Sequence, residues 1–374
     1  MKFSSEFRDG ALARRIAATI ASECRPDRCY AFMEFCGGHT HTIARYGLEA
    51  MLPASIRLIH GPGCPVCVLP IGRIDSAIEL ACEHGVILCT YGDTMRVPGS
   101  HRLSLLRAKA AGGDIRMVWS TLDALNVARE NPDREVVFFA IGFETTTPPT
   151  AMALKMAKAE GLRNFSVFSS HVLTPSAMRA VLQGGLALEG VIGPGHVSAV
   201  IGIDVYREFS DRGMPVVVAG FEPLDLLQAI LMLVRQVNEG EPRVENAYVR
   251  ALPAVGNERA RQVIAETMTL RSSFEWRGLG TLPDSALRLS DDYAEFDAET
   301  RFSLPYRAVS DPKSCLCSDV VRGLKRPEEC PLFGRGCTPD NPIGSCMVSS
   351  EGGCAAHWLY GRHTMAGERQ EEMA

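Results

Sequence analysis

The chain is poor in aromatic residues, which make up 7% of it, and it has no long apolar run. The longest run, near 226–234, falls far short of the ~20 residues that a membrane helix needs. Positive charge is not in excess either. Lys and Arg number 39 against 44 Asp and Glu, a net charge of −5, with no basic cluster or arginine-rich helix. That balance excludes an electrostatic nucleic-acid binder. The first residues, Met1-Lys2-Phe3-Ser4-Ser5-Glu6, lack the charged-then-apolar layout of an export signal. A cytoplasmic protein is expected, with neither nucleic acid nor membrane among its partners. Finally, no cysteine occurs between 91 and 314, although the chain holds 13. All of them fall before residue 90 or between 315 and 354. Without an export signal a disulfide framework is disfavoured, and such clustering points to two separate thiol-rich sites for metal binding or thiol chemistry.

At 374 residues there is room for two or three domains, each with its own core. After an amphipathic helix at 4–24, short apolar runs at 29–35, 56–60, 86–90 and 115–119 alternate with helical stretches at 71–82 and 104–111. This is the pattern of parallel βαβ units. The rhythm repeats about 100–110 residues later, with strands at 136–141, 165–169, 190–192 and 215–219 and helices at 150–160, 175–183 and 199–211. The expected fold class is α/β: two similar parallel-sheet domains, read as an internal duplication, plus a small cysteine-rich iron–sulfur domain. The expected divisions are 1–125, carrying Cys36 and Cys64/Cys67, then 126–245, then 246–374 for connecting helices and the C-terminal unit. Further helices are expected at 224–237 and 257–269, an aperiodic crossing at 278–304, and a polar, frayed tail from Thr364.

Three stretches carry chemistry. Phe35-Cys36-Gly37-Gly38-His39-Thr40-His41 packs a thiol, two glycines and two imidazoles into the turn leaving the first strand. It reads either as a metal or reactive-ligand site or as a tight turn with a buried cysteine. Gly61-Pro62-Gly63-Cys64-Pro65-Val66-Cys67 puts a CxxC after the second strand and before a helix, where a helix N-terminus lowers a thiol's pKa. Neighbouring parallel strands would bring Cys36, Cys64 and Cys67 to one sheet edge. The six C-terminal thiols, Cys315, Cys317, Cys330, Cys337, Cys346 and Cys354, are too widely spread for paired zinc ligands. They suit an iron–sulfur cubane, the surplus pair being a redox disulfide in an arrangement similar to ferredoxin–thioredoxin reductase; zinc and structural thiols are the alternatives. Gly142-Phe143-Glu144-Thr145-Thr146-Thr147-Pro148 reads as an anion-binding or a capping turn, without a Walker lysine or G-x-G-x-x-G. His171 and His196, the latter in Gly193-Pro194-Gly195-His196, read as structural more readily than catalytic.

These motifs, with Cys330-Pro331-Leu332-Phe333-Gly334 and the run from Cys346 to Ala356, resemble the HypD family of hydrogenase maturation proteins over nearly the full chain. The resemblance implies a scaffold on which the iron of [NiFe]-hydrogenase receives cyanide and carbon monoxide. It implies a small HypC-type chaperone that shares the iron and a HypE-type protein that docks transiently to hand over cyanide. By it, Cys36 would hold the Fe(CN)2CO unit with His39 close by, and Cys64 and Cys67 would form a redox pair. Cys315, Cys330, Cys337 and Cys354 would hold a [4Fe–4S] cluster, leaving Cys317 and Cys346 as a second redox pair, the cluster and thiol pairs supplying electrons. Such a protein is more an assembly scaffold with redox activity than a turnover enzyme. A different class, an iron–sulfur thiol–disulfide oxidoreductase working on protein substrates through Cys64/Cys67, would leave the Cys36 motif without a role.

Overall fold

Two parallel sheets organise the computed structural model, which describes residues 5–253 and 255–361. The strands are β1 (Tyr30–Glu34), β2 (Ile56–His60), β3 (Ile87–Thr90), β4 (Ile115–Met117), β5 (Val136–Gly142), β6 (Phe165–His171), β7 (Gly190–Pro194), β8 (Val216–Ala219) and β9 (Val244–Asn246). Their residues are mostly apolar and buried on both faces, as expected of sheets covered by crossover helices. The first sheet runs β2-β1-β7-β8-β9 and the second β4-β3-β5-β6. The sequence reading of two α/β parallel-sheet units is thus correct.

The strands do not divide at residue 125. The first sheet takes β1 and β2 from the start of the chain and β7 to β9 from beyond residue 190, so the second sheet is inserted whole between β2 and β7. The two stretches paired by the repeated rhythm are interleaved across both sheets, and the fold lends the expected duplication no further support. What selects this pairing is burial of apolar faces far apart in sequence: Phe32 and Tyr30 share a core with Ile192, Val217 and the long helix Pro223–Glu239.

Helices Ile71–Cys82 and Gly10–Glu23 lie where the periodicity puts them, the second with Asp9 accepting from the N–H groups of Ala11 and Leu12. The expected helix at 199–211 is instead broken into Gly195–Ile201 and short turns, because Gly202 stops the first segment at a φ of 81°. The stretch read as aperiodic, 278–304, supplies one arm of each of two pairings: Gly280–Pro283 against Ser273–Trp276 and Leu287–Leu289 against Met268–Leu270. These cover β6: Ser169 Oγ donates to Leu287 O at 2.9 Å. The C-terminal unit contributes Val320, Val321, Met347 and Val348 to the same core as Leu88, Val137 and Phe139 of the second sheet. The tail expected to fray lies outside the described residues. Among the described residues no helix is long and apolar enough to cross a membrane.

Candidate functional site

In the first sheet the chain turns one way from β1 to β2 and the other way from β7 to β8, so the order reverses between β1 and β7. Crevices at such reversals, beyond the strands' C-terminal ends, are where open α/β sheets bind ligands. Four adjacent strands deliver their following residues there: Cys36 after β1, Gly61 to Cys67 after β2, His196 after β7 and Phe221 after β8.

Cys36 is the extended residue before the helix Gly37–Tyr46, and the backbone N–H groups of Gly38 and His39 point at its sulfur. The glycines around it permit close approach. A Cβ on Gly63 would stand 2.3 Å from Cys36 N, and one on Gly37 would stand 2.4 Å from Glu351 Cβ. Glu34, buried at the end of β1, accepts from Cys36 N at 2.8 Å and from the Thr40 hydroxyl, and its Oε1 lies 3.0 Å from His60 Nδ1. Burial, then the charges of Glu34 and Glu351, push the Cys36 thiol well up, against the smaller downward pull of the two backbone N–H groups.

The imidazole that meets Cys36 is His196, with Nδ1 3.4 Å from Sγ. Burial lowers it to about 4, so it stays neutral at physiological pH. His39, expected beside the thiol, instead directs Nε2 to Ala219 O at 3.3 Å, and its Nδ1 is buried with no partner among the described residues. The Phe221 ring lies against both, 5.4 Å from His39 and 5.3 Å from His196. A thiol and a neutral imidazole thus meet in one crevice, a donor pair of the kind that suits a soft or borderline metal ion.

The expected convergence of thiols holds, since β1 and β2 pair directly. Gly37 N donates to Gly63 O at 3.1 Å, tying the two loops together. Cys64 and Cys67 are joined as a disulfide, their Cα atoms 5.2 Å apart. The C-terminal unit reaches this loop: Ser345 Oγ donates to Cys67 O at 2.7 Å and lies 3.5 Å from Cys317 Sγ.

All six C-terminal cysteines line one small cavity with Phe333, Gly344 and Met347. Cys317 Sγ is 2.8 Å from Cys346 Sγ. Backbone N–H groups of Ile343 and Cys346 approach Cys337 Sγ at 3.3 Å and Cys317 Sγ at 3.4 Å. Hydrogen bonding with Cys315 and Cys346 holds the Cys317 thiol low, while hydrogen bonding with Cys317 and Cys354 raises Cys346. No three His, Cys, Asp or Glu among the described residues are closed into a metal-holding group; the thiols stand around the cavity wall. The cradle fits a soft multi-thiolate group, for a Cβ on Gly344 would come 2.7 Å from Cys315 Sγ.

In the second sheet, the Thr146 and Thr147 hydroxyls both bond back to Phe143 O, at 3.0 and 3.1 Å, rather than capping N–H groups. Glu144 is buried and accepts from Thr174 N at 2.8 Å and Thr174 Oγ1 at 2.9 Å. Cys89 lies in the core of β3, and Cys29 and Cys82 are exposed. One site residue escapes a reading by motif: Glu34 is signalled only as a carboxylate ending an apolar strand. His196 stands in a motif but reads there as structural more readily than catalytic, whereas the fold places it on the Cys36 sulfur.

The family model described as "HypD: Hydrogenase formation hypA family" matches residues 11–361. The chain is 60% identical over 373 residues to the hydrogenase maturation factor HypD of Azotobacter vinelandii, covering 98% of each chain. To the protein of that name from Rhizobium leguminosarum bv. viciae it is 61% identical over 370 residues, 97% of this chain and 96% of the other. To that of Escherichia coli (strain K12) it is 49% identical over 336 residues, 89% of this chain and 90% of the other.

Proposed function

This chain belongs to the HypD family of hydrogenase-formation proteins, and from that membership we propose that it is the scaffold on which the Fe(CN)2CO unit of [NiFe]-hydrogenase is assembled. Iron is the cargo, held by Cys36 and shared with a small HypC-type chaperone through that partner's own thiolate, while a HypE-type protein docks transiently to deliver cyanide. A [4Fe–4S] cluster on Cys315, Cys330, Cys337 and Cys354 would, when bound, supply single electrons. Cys317 and Cys346 form the second thiol pair.

The observation that carries this is the crevice at the order reversal of the first sheet, where Cys36, His196 and the Cys64–Cys67 loop converge. Each residue there has a task. Cys36 gives up a proton held firmly by its burial as iron takes that proton's place. Neutral His196 keeps a hydrogen-bonding partner on the sulfur without adding charge. Glu34 fixes the Cys36 backbone through the 2.8 Å bond. Cys64 and Cys67 act as a two-thiol store within the protein. The oxidoreductase reading is disfavoured, because Cys64 and Cys67 are 3% and 2% exposed and a thiol of a protein substrate has no approach to them.

The division of the six thiols is tested by replacing Cys317 and Cys346 with serine. The anaerobically purified variant should keep its iron, sulfide and visible absorption but fail to mature hydrogenase. Unchanged hydrogenase activity sinks the role of the second pair, and loss of the cluster reassigns its ligands.

A further inference from the structure

Cys36 is 1% exposed, yet any reactant bound for its sulfur has to come from outside the fold. Most of its surroundings are closed. Glu34 holds its N–H, a Cβ on Gly63 would meet its backbone at 2.3 Å, and Glu351 is packed on Gly37. One wall is thin. It consists of Gly38, on the first turn of the helix Gly37–Tyr46, and the ring of Phe221, which follows β8. Both residues are partly exposed, whereas Cys36 and His39 are buried. A Cβ on Gly38 would stand 2.9 Å from Phe221 Cδ1 and 3.6 Å from Cys36 Sγ. Ring and sulfur therefore both border the space that the missing side chain leaves.

Gly38 and Phe221 also line a cleft with Arg8, His41, Arg45 and Tyr46. A single ring thus stands between that cleft and the Cys36 crevice. It meets His39 at 5.4 Å, His196 at 5.3 Å and the edge of Tyr248 at 5.9 Å. Its backbone is anchored, for Phe221 O accepts from Thr42 Oγ1 at 2.7 Å, so the ring moves by rotation of the side chain. The cleft, about 380 Å³ in volume, has room to receive it, since a cavity of about 150 Å³ already holds benzene.

We propose that Phe221 decides what reaches the Cys36 sulfur. Closed on Gly38, its ring shuts the crevice. Turned outward into the cleft, it opens a passage one side chain wide, which admits a single ion or a ligand of a few atoms and refuses bulky molecules. The consequence for iron rests on the scaffold reading above: an iron ion and diatomic ligands are of the size that passes, and the closed ring then keeps larger chelators from the metal. Gly38 is the necessary counterpart, because a side chain there would take the place of the ring.

The test labels the full chain, purified without oxygen, with iodoacetamide and with the far larger fluorescein maleimide, and reads each cysteine by peptide mass spectrometry. The exposed Cys29 and Cys82 normalise each reagent. In wild type the normalised labelling of Cys36 should be several-fold slower with the larger reagent. In F221A labelling of Cys36 should rise about tenfold or more, since two aromatic contacts no longer hold the passage shut, and the difference between reagents should shrink. F221L, which keeps apolar bulk, should fall between. Cys89, buried in β3, should stay unlabelled throughout. Unchanged labelling of Cys36 in both variants overturns the proposal, as does wild-type labelling blind to reagent size. Label on Cys89 rising in step with Cys36 also overturns it, because the opening is then general rather than at the ring. Bipyridyl should strip iron from F221A several-fold faster than from wild type, and equal rates overturn the retention of iron by the ring. Failure of the scaffold reading is read separately: the labelling would follow this pattern, yet wild type and C36A would hold the same iron.

Discussion

Gly63→Ala should damage the site while touching none of its chemistry. Gly63 lies against the chain that carries the thiol. An added Cβ would stand 2.3 Å from Cys36 N, 2.5 Å from Cys36 Cα and 2.6 Å from Phe35 C, against an ordinary contact of 3.4 Å or more. All three atoms are backbone, so no rotamer change relieves the overlap. The Cys64–Cys67 loop must retreat by about 1 Å, the difference between the 2.3 Å approach and the ordinary contact. Overpacking of this kind costs about 1–3 kcal/mol. Stretching the 3.1 Å bond from Gly37 N to Gly63 O adds about 0.5–1.5 kcal/mol. The unfolding midpoint should fall by several degrees. More tellingly, iron retained at Cys36 should fall about tenfold or more, since displacements of this size at a reacting centre are costly. Gly10→Ala is the control, because its Cβ would meet only the flexible end of Arg14, at 3.7 Å. A Gly63→Ala protein with wild-type midpoint and full iron loading would refute the claim that this contact positions the thiol.

Glu144, buried and raised to about 7 by its burial, binds its proton more firmly folded than unfolded. Its contribution is therefore fully present below about pH 4.3 and lost as pH rises through about 7, a change of about 4 kcal/mol. Glu144→Gln should keep the Thr174 N–H bond, exceed wild type in stability at about pH 8 and lose that advantage by about pH 5; urea unfolding across this range checks it, and parallel pH profiles would contradict it. His196→Ala should lower iron affinity at Cys36 about 10–100-fold, the usual effect of losing a partner of a metal ligand, as measured by iron content after dialysis. Ser345→Ala leaves the buried Cys67 carbonyl without its 2.7 Å donor. This should cost about 1–3 kcal/mol and speed proteolysis of the C-terminal unit, with cluster absorption unchanged at the start.

Local features of the fold were legible because local physics sets them. The run at 56–60 and the periodicity at 71–82 coincide with β2 and the helix Ile71–Cys82. The helix Thr121–Glu130, with its capping box between Ser120 and Asp123, carries the same kind of local signal, although the strand rhythm alone does not mark it. Sheet order was not legible. The pairing of Phe32 with Gly190 joins residues far apart in sequence and is decided by which apolar faces bury one another. That is why a boundary near 125 was expected where the chain in fact inserts one sheet into another. The same cause separates the two imidazoles. His39 follows Cys36 in the motif, yet its position on the first turn of the helix aims its ring at Ala219 O, while β7 brings His196 to the sulfur. The gathering of the six C-terminal thiols was legible from their crowding. Their proximity to Cys67 through Ser345 was not, since it depends on the C-terminal unit burying apolar side chains against the second sheet.

The most direct test of the central claim is an infrared spectrum of the anaerobically purified protein with its small chaperone, for wild type and Cys36→Ala. Wild type should show cyanide and CO stretches that vanish in the variant, while the visible absorption of the cluster and the bound chaperone both persist. Stretches that survive in Cys36→Ala, or their absence from wild type with chaperone and cluster in place, would contradict assembly of the iron unit on Cys36.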